Sequence, residues 1–421
     1  MGRKRRATTA IAQRLVFALE RFGDHELANH AAAGAYAFLL SAIPMVLLAL
    51  GLASALLRTL PNALAEAERM VASFLGAMEA SEVITSFFSK PLGGLAAVIG
   101  ALSLLYSARL LIVTIQRGIR VIWAMSGKSG ILRENLFSVL LELVVLVAVV
   151  AVLTASETLR FLADTPGSGA LFSLALRAVA RVAPPAVLLG FVYLNFRFTP
   201  TKRPPHGVAF LGALCCVLGT IGFSSVFGLV MGGARYNLLY GIFGNLIVLL
   251  ANVYFFFSLF FFFAELVYIE ENFDALLFVR FQRNLRSPTP PKIERSLFAE
   301  PERLFRLFGR TYAKGEKVFS AGDGGHEAYF VRNGLIGIYK AGPEGELRLA
   351  SVEAGEIFGE MALIQDELRS ATARADIESL VLVIPPEIFE LYLKSDDAHR
   401  RLAELLSERL RKANERFGSS R

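Results

Sequence analysis

Long apolar runs separated by short charged turns fill the first two thirds of the chain, and a different rhythm follows. Ala33–Leu57 is apolar over about the 20 residues a helix needs to cross a bilayer. Gly93–Ile115, Leu136–Thr154, Val182–Phe198, Gly207–Met231 and Leu238–Val267 repeat the pattern, so the hydropathy predicts six spans. Pro44 is expected to kink the first span and Pro184-Pro185 to break the fourth, because proline removes a backbone donor inside a helix. Residues 10–28 alternate apolar and charged positions at helical spacing, as an interfacial helix does. Beyond about residue 272 the runs stop. A charged stretch leads into Ser287-Pro288-Thr289-Pro290-Pro291, which reads as a semi-rigid linker. Short apolar strands then alternate with glycine turns to about residue 384, as a jelly-roll-like barrel requires. Helices are expected over about 293–309 and from Pro385-Pro386 to about Phe417. The last carries an apolar stripe of Leu402, Leu405, Leu406 and Leu410.

The predicted division is therefore a basic N-terminus and interfacial helix over 1–30 and an all-α six-span membrane domain over 31–272. A linker over 273–295 and a cytosolic β-roll with flanking helices over 296–421 complete it.

Composition sharpens this picture. Of 421 residues, 54% are hydrophobic and the mean hydropathy is +0.50, too apolar for an ordinary soluble chain. Lys and Arg crowd the start (Arg3 to Arg6), the turn with Arg117, Arg120, Lys128 and Arg133, and the turn with Arg197, Lys202 and Arg203. Arg280, Arg283 and Arg286 follow the last span. The positive-inside rule then places both termini in the cytoplasm and the spans in the inner membrane. The basic start reads as a membrane anchor rather than a cleavable signal or a nucleic-acid arm, and no nucleic-acid partner is expected. Cys215 and Cys216, adjacent in an apolar run, suggest neither a disulfide framework nor a zinc site. The five histidines make no metal spacing. Gly127-Lys128-Ser129 resembles the end of a phosphate loop, but Ile122 stands where the first glycine belongs. With no catalytic constellation, the chain is expected to be neither an enzyme nor a cofactor carrier.

Candidate chemistry concentrates in Phe358-Gly359-Glu360-Met361-Ala362-Leu363 and Arg369-Ser370-Ala371. Gly359, without a Cβ, lets the backbone approach a ligand. A turn through Ala362 and Leu363 would aim N–H groups at an anion. Arg369 offers a rigid fork for a phosphate, and Glu360 is an acceptor for a sugar hydroxyl. Phosphate, ribose and close backbone together point to a nucleotide. The stretch resembles the phosphate-binding cassette of cyclic nucleotide-binding domains. Lys314-Gly315-Glu316, Gly322-Asp323, Ala328-Tyr329-Phe330, Gly334 and Gly355 fall at that family's spacing. The resemblance implies that Glu360 binds the ribose 2′-hydroxyl and Arg369 the cyclic phosphate. Gly359, Ala362 and Ser370 would supply donors, and the regulatory ligand would be cyclic AMP or cyclic GMP.

The membrane part is similar to the BrkB/YihY family, once labelled ribonuclease BN. The likeness rests on Ala31 to Pro44, on Arg235-Tyr236-Asn237-Leu238-Leu239-Tyr240-Gly241-Ile242-Phe243-Gly244, and on Glu265 near the end of the last span. No clustered carboxylates or histidines support a nuclease. Arg109, Glu142, Asn245 and Asn252 lie inside spans, where a charge costs about 2.5–3.5 kcal/mol on insertion scales. They either line a substrate pathway or hold helices together. Glu265 and the Asp24-His25-Glu26 run read as structural, the latter as a solvated helix face. The expectation is a transporter, permease or lipid-handling protein biased by a cyclic nucleotide. The alternatives are a membrane-anchored scaffold that recruits a partner and a ligand-gated channel. The bilayer and a second copy of the chain are the other expected partners.

Overall fold

The computed structural model describes residues 2–56, 109–124, 170–231, 235–286, 291–298, 301–342, 345–365 and 367–394. The chain divides into two compact units, Leu15–Glu271 and Asn272–Arg421, with Met1–Arg14 belonging to the second.

The secondary structure of the first unit is all helical among its described residues. α1 (Gly2–Asp24) enters it, followed by α2 (Leu27–Leu56), α3 (residues 109–122), α4 (Ala170–Phe198), α5 (His206–Met231) and α6 (Arg235–Arg286). Among the described residues, three segments are long and apolar enough to cross a membrane: Phe172–Phe198, His206–Leu229 and Ile247–Leu285. α2 covers the expected first span as far as Leu56. The expected span Leu136–Thr154 and most of Gly93–Ile115 lie outside the described residues. The predicted break at Pro184-Pro185 does not occur: α4 runs through both prolines. Each proline gives up its own donor, but in apolar surroundings the remaining ladder is the best outlet for the backbone's polar groups.

α6 presents a phenylalanine-rich face that is received by glycines. A Cβ on Gly118 of α3 would stand 2.3 Å from Cε1 of Phe261. One on Gly212 of α5 would stand 2.3 Å from Cγ2 of Val267. Small residues thus make notches that bulky α6 side chains fill, the usual source of attraction where water offers no hydrophobic drive. Phe196 and Phe260 add a tilted ring pair at 5.0 Å. Two hydroxyls are satisfied within their own helices: Thr220 donates to the Cys216 carbonyl at 2.8 Å, and Ser258 to that of Tyr254 at 2.9 Å.

The second unit begins inside α6. Residues 273–286, assigned to a linker from the sequence, are helical to Arg286. Phe278 and Phe281 project from these turns into an aromatic cluster. Phe278 meets Phe330 at 6.2 Å and Tyr392 at 5.6 Å, and Phe281 meets Phe305 at 5.7 Å. Arg280 makes two hydrogen bonds, of 2.6 and 3.1 Å, to the Glu294 carboxylate, and Arg303 pairs with Asp274. Two short helices follow, α7 (Lys292–Phe298) and α8 (Glu302–Phe308). From the N-terminal segment, Gln13 donates to the Leu297 carbonyl at 2.6 Å, and the Arg14 guanidinium covers the Phe273 ring at 4.1 Å.

Eight strands then form two antiparallel four-stranded sheets. β1 (Gly309–Tyr312), β8 (Ser379–Ile384), β3 (Ala328–Asn333) and β6 (Ile357–Phe358) make one, in that order. β2 (Lys317–Phe319), β7 (Thr372–Ala375), β4 (Leu335–Gly342) and β5 (Gly345–Glu353) make the other. In β7 the side chains alternate, Ala373 and Ala375 buried and Thr372 and Arg374 outward, as the pleat dictates. The core holds Tyr329, Val331, Ile336, Phe358, Ala373 and Val381. α9 (Glu360–Gln365) interrupts the strands, and α10 (Pro386–Leu393) follows β8.

Candidate functional site

The site is built where β6 gives way to α9. Phe358 is buried in the core and pairs with Tyr329 of β3, which fixes the chain just before Gly359. Gly359 turns the backbone at φ +76°, a region L side chains rarely adopt. A Cβ there would lie 2.9 Å from the Arg369 Nη1 atom and 3.0 Å from the Tyr329 ring. Glycine is therefore needed twice, for the turn and for the space.

The same turn delivers Glu360 to the first position of α9, with only 7% of its surface exposed. Ala362 is buried and Met361 and Leu363 are half-buried. The loop after α9 returns Arg369 to the site. Its backbone is tied on both sides: Arg369 N–H donates to the Asp323 carbonyl at 3.0 Å, and Gly322 N–H to the Arg369 carbonyl at 2.8 Å.

Arg369 is 4% exposed. Its Nη1 donates to the Gly359 carbonyl and its Nη2 to the Glu327 carbonyl, both at 2.7 Å. The Glu327 carboxylate stands off at 3.6 Å. The guanidinium lies 4.5 Å from the Phe319 ring centre and 5.3 Å from that of Tyr329, close enough for cation–π attraction. Burial pushes the Tyr329 phenol up, against the pull of the adjacent Arg369 charge. The cation is thus held closely by dipoles and ring faces, with the Glu327 carboxylate beyond hydrogen-bonding distance. Beside it opens a cavity of about 580 Å³, lined by Gly324, Gly325, His326, Glu367, Leu368 and Ser370. That volume suits a small ligand. Ser370 is exposed on the lining and Ala371 is buried behind it. Arg369, Gly359, Glu360 and Ser370 are therefore gathered at one end of the roll.

The sequence did not single out Glu327, Phe319 or His326. Glu327 acts through its backbone carbonyl, which leaves no mark in side-chain type. Phe319 arrives by the β2–β7 pairing, from a distant part of the chain. The Gly324-Gly325 pair ahead of β3 was the available signal.

The membrane residues are placed differently. Arg109 stands at the start of the described part of α3, half-buried. Asn252 donates to the Val248 carbonyl of its own helix at 3.0 Å. Glu142 lies outside the described residues. Asn245 lies in α6, where its side chain is outside them. Glu265, fully buried, accepts from Arg21 Nε at 2.9 Å and contacts His25 Nδ1 at 2.5 Å. Arg21 also donates to the Ile122 carbonyl at 3.1 Å. His25 is therefore paired with a buried carboxylate, which corrects the solvated-face reading at that residue, whereas Asp24 and Glu26 are exposed. Among the described residues, no group of three or more His, Cys, Asp and Glu is placed to hold a metal ion.

Apolar spanning helices followed by a two-sheet domain with a glycine–glutamate–arginine cassette define a membrane protein that carries a cyclic nucleotide-binding domain. The model of that domain matches residues 309–396. The model described as Virulence factor BrkB matches residues 18–277, more than half of the chain, and the chain belongs to that family. Glutaminase 1 of Bradyrhizobium diazoefficiens is 37% identical over 110 residues, 25% of this chain and 17% of that protein. The Cyclic AMP receptor protein of Thermus thermophilus is 36% identical over 108 residues, 25% of this chain and 50% of that protein. The chain thus spans half or less of the length of these curated relatives. Among solved structures, the Thermus thermophilus catabolite activator protein is 31% identical and covers 28% of this chain and 59% of its own, with a TM-score of 0.25.

Proposed function

We propose that the protein is an inner-membrane transporter, permease or lipid-handling device, with both termini cytoplasmic, whose state is biased by cyclic AMP or cyclic GMP. The observation that carries the nucleotide half is Arg369. A guanidinium 4% exposed, held by two carbonyls and two ring faces beside an open cavity, is prepared for an anion that it does not yet meet at close range. Glu360 takes the ribose hydroxyl and Ser370 the phosphate in this reading. The name of the Thermus relative, a cyclic AMP receptor protein, favours cyclic AMP.

The coupling half is supported by α6, one helix from Arg235 to Arg286 whose last turns carry Phe278 and Phe281 into the aromatic cluster with Phe330. A ligand that favours one arrangement of that cluster shifts a two-state equilibrium by its difference in affinity, typically about 1–3 kcal/mol. No catalytic step is assigned to either part.

The test is calorimetric titration of cyclic AMP and cyclic GMP into detergent-purified full-length protein, beside an Arg369→Ala variant. Saturable binding lost in the variant establishes the sensor and ranks the nucleotides. Binding to neither by folded protein overturns it. Solute or lipid flux in reconstituted vesicles, with and without nucleotide, then tests regulation. Flux that ignores the nucleotide sinks the coupling, and nucleotide-dependent capture of a partner without flux marks a scaffold instead.

A further inference from the structure

We propose that the turn between α4 and α5 is a seat for the phosphodiester headgroup of an anionic phospholipid, separate from the nucleotide site. The spans Phe172–Phe198 and His206–Leu229 end and begin on either side of residues 199–205, so this turn lies at a membrane surface by length and composition. Arg197, Lys202 and Arg203 converge there, and no Asp or Glu occurs between Asp164 and Glu265. Glu271 is a carboxylate within electrostatic reach of Arg197 and Lys202, one negative charge beside the three cations Arg197, Lys202 and Arg203.

Two observations point to a missing acceptor. Among the described residues, the Arg197 Nε and Nη1 atoms are buried without a hydrogen-bond partner, and so is the Thr199 hydroxyl. Arg197 Nη2 approaches His206 Nε2 at only 3.4 Å, and the other ring nitrogen of His206 is engaged by the Tyr193 hydroxyl at 2.8 Å. Buried donors of this kind are normally satisfied, and a charged one left over is costly. α5 opens at His206, so its first N–H groups have no intrahelical acceptor, and its positive end faces the same turn. Ala209 N–H closes the first turn on the Pro205 carbonyl at 3.0 Å.

The ligand is a lipid rather than a soluble phosphate because the basic turn continues into exposed apolar surface. Phe198, Phe210 and Leu211 are 39%, 49% and 61% exposed. Guanidiniums flank the Phe198 ring, Arg203 at 5.5 Å and Arg197 at 5.8 Å from its centre. A headgroup at the cations and acyl chains along these rings satisfy both surfaces at once.

The test is thermal unfolding of the full-length protein in neutral detergent, titrated with phosphatidylglycerol, phosphatidylcholine or inorganic phosphate. Phosphatidylglycerol is expected to raise the unfolding temperature saturably, and phosphatidylcholine not to. Lys202→Gln with Arg203→Gln, both exposed positions, should raise the half-saturating lipid concentration at least about tenfold, from roughly 1 kcal/mol per surface cation. Lys314→Gln with Lys317→Gln, exposed on the nucleotide domain, should leave it unchanged. Equal stabilisation by phosphatidylcholine, or an equal shift in both double variants, overturns the site. Stabilisation by inorganic phosphate at the same concentration overturns the lipid assignment.

Discussion

Two arginines, one in each unit, are held in opposite ways: Arg21 is half-buried and Arg369 is buried. Arg21 faces Glu265, a fully buried carboxylate that also contacts His25, and its second arm closes on the Ile122 carbonyl. That constellation is complete in itself: charge meets charge, and the Tyr268 ring lies 4.3 Å from the guanidinium. Arg369 faces two carbonyls, two ring faces and a carboxylate at 3.6 Å, next to open space. Dipoles and quadrupoles stabilise a cation without neutralising it. A closed ion pair reads as architecture, and a cation held closely by neutral groups, with its Glu327 carboxylate only at 3.6 Å, reads as a place for an anion.

The comparison can be broken most severely at Glu265. Glu265→Ala leaves Arg21 without its carboxylate and is expected to cost about 3–5 kcal/mol of stability, read from chemical unfolding in detergent. Glu265→Leu with Arg21→Met should recover much of that, because an apolar pair of similar size is often as good as a buried ion pair. A loss below about 1 kcal/mol in the single variant would show that the pair is not structural.

Arg369→Ala should act on affinity instead. Losing charge-assisted hydrogen bonds worth about 1.5–3 kcal/mol lowers nucleotide affinity roughly tenfold to a hundredfold in calorimetry. Its effect on global unfolding should be smaller than that of Glu265→Ala. Gly359→Ala sits between the two kinds of effect. The left-handed backbone at +76° costs an L residue about 1–2 kcal/mol, and the new methyl group displaces Arg369, so stability and affinity both fall. Ser370→Ala is the mildest: the side chain is exposed on the cavity lining, so about 1 kcal/mol of affinity is lost, some fivefold, with no change in unfolding.

The cassette was legible because its chemistry is local. Gly359, Glu360 and Arg369 lie within a few residues of one another, and glycine, carboxylate and guanidinium each carry a distinct physical meaning. Phe319 and Tyr329, which stack beside the guanidinium, reach it because β2 pairs with β7 in one sheet and β3 with β6 in the other, so no short window contains them together with Arg369. The spans of α4 and α5 follow directly from hydropathy. The end of α6 does not, because the charged stretch beginning at Glu270 and Glu271 reads as the start of a polar connection. Phe273, Leu277, Phe278 and Phe281 are nevertheless all buried, and their spacing is that of one helical face. His25 was misread for a similar reason: its partner Glu265 lies far along the chain.

Where the last membrane helix stops being membrane helix has a bearing on how such chains are assembled and dismantled. Phe278 and Phe281 complete the hydrophobic packing around Phe330, although they stand well before the first strand at Gly309. A gene fusion joined just ahead of β1, or a soluble fragment begun there for crystallisation, would leave the Phe330 ring facing water, at a cost on the order of 1.5–3 kcal/mol for one large side chain. The division between the two compact units lies upstream of the proline-rich stretch, near Asn272, and that is where scissors should fall.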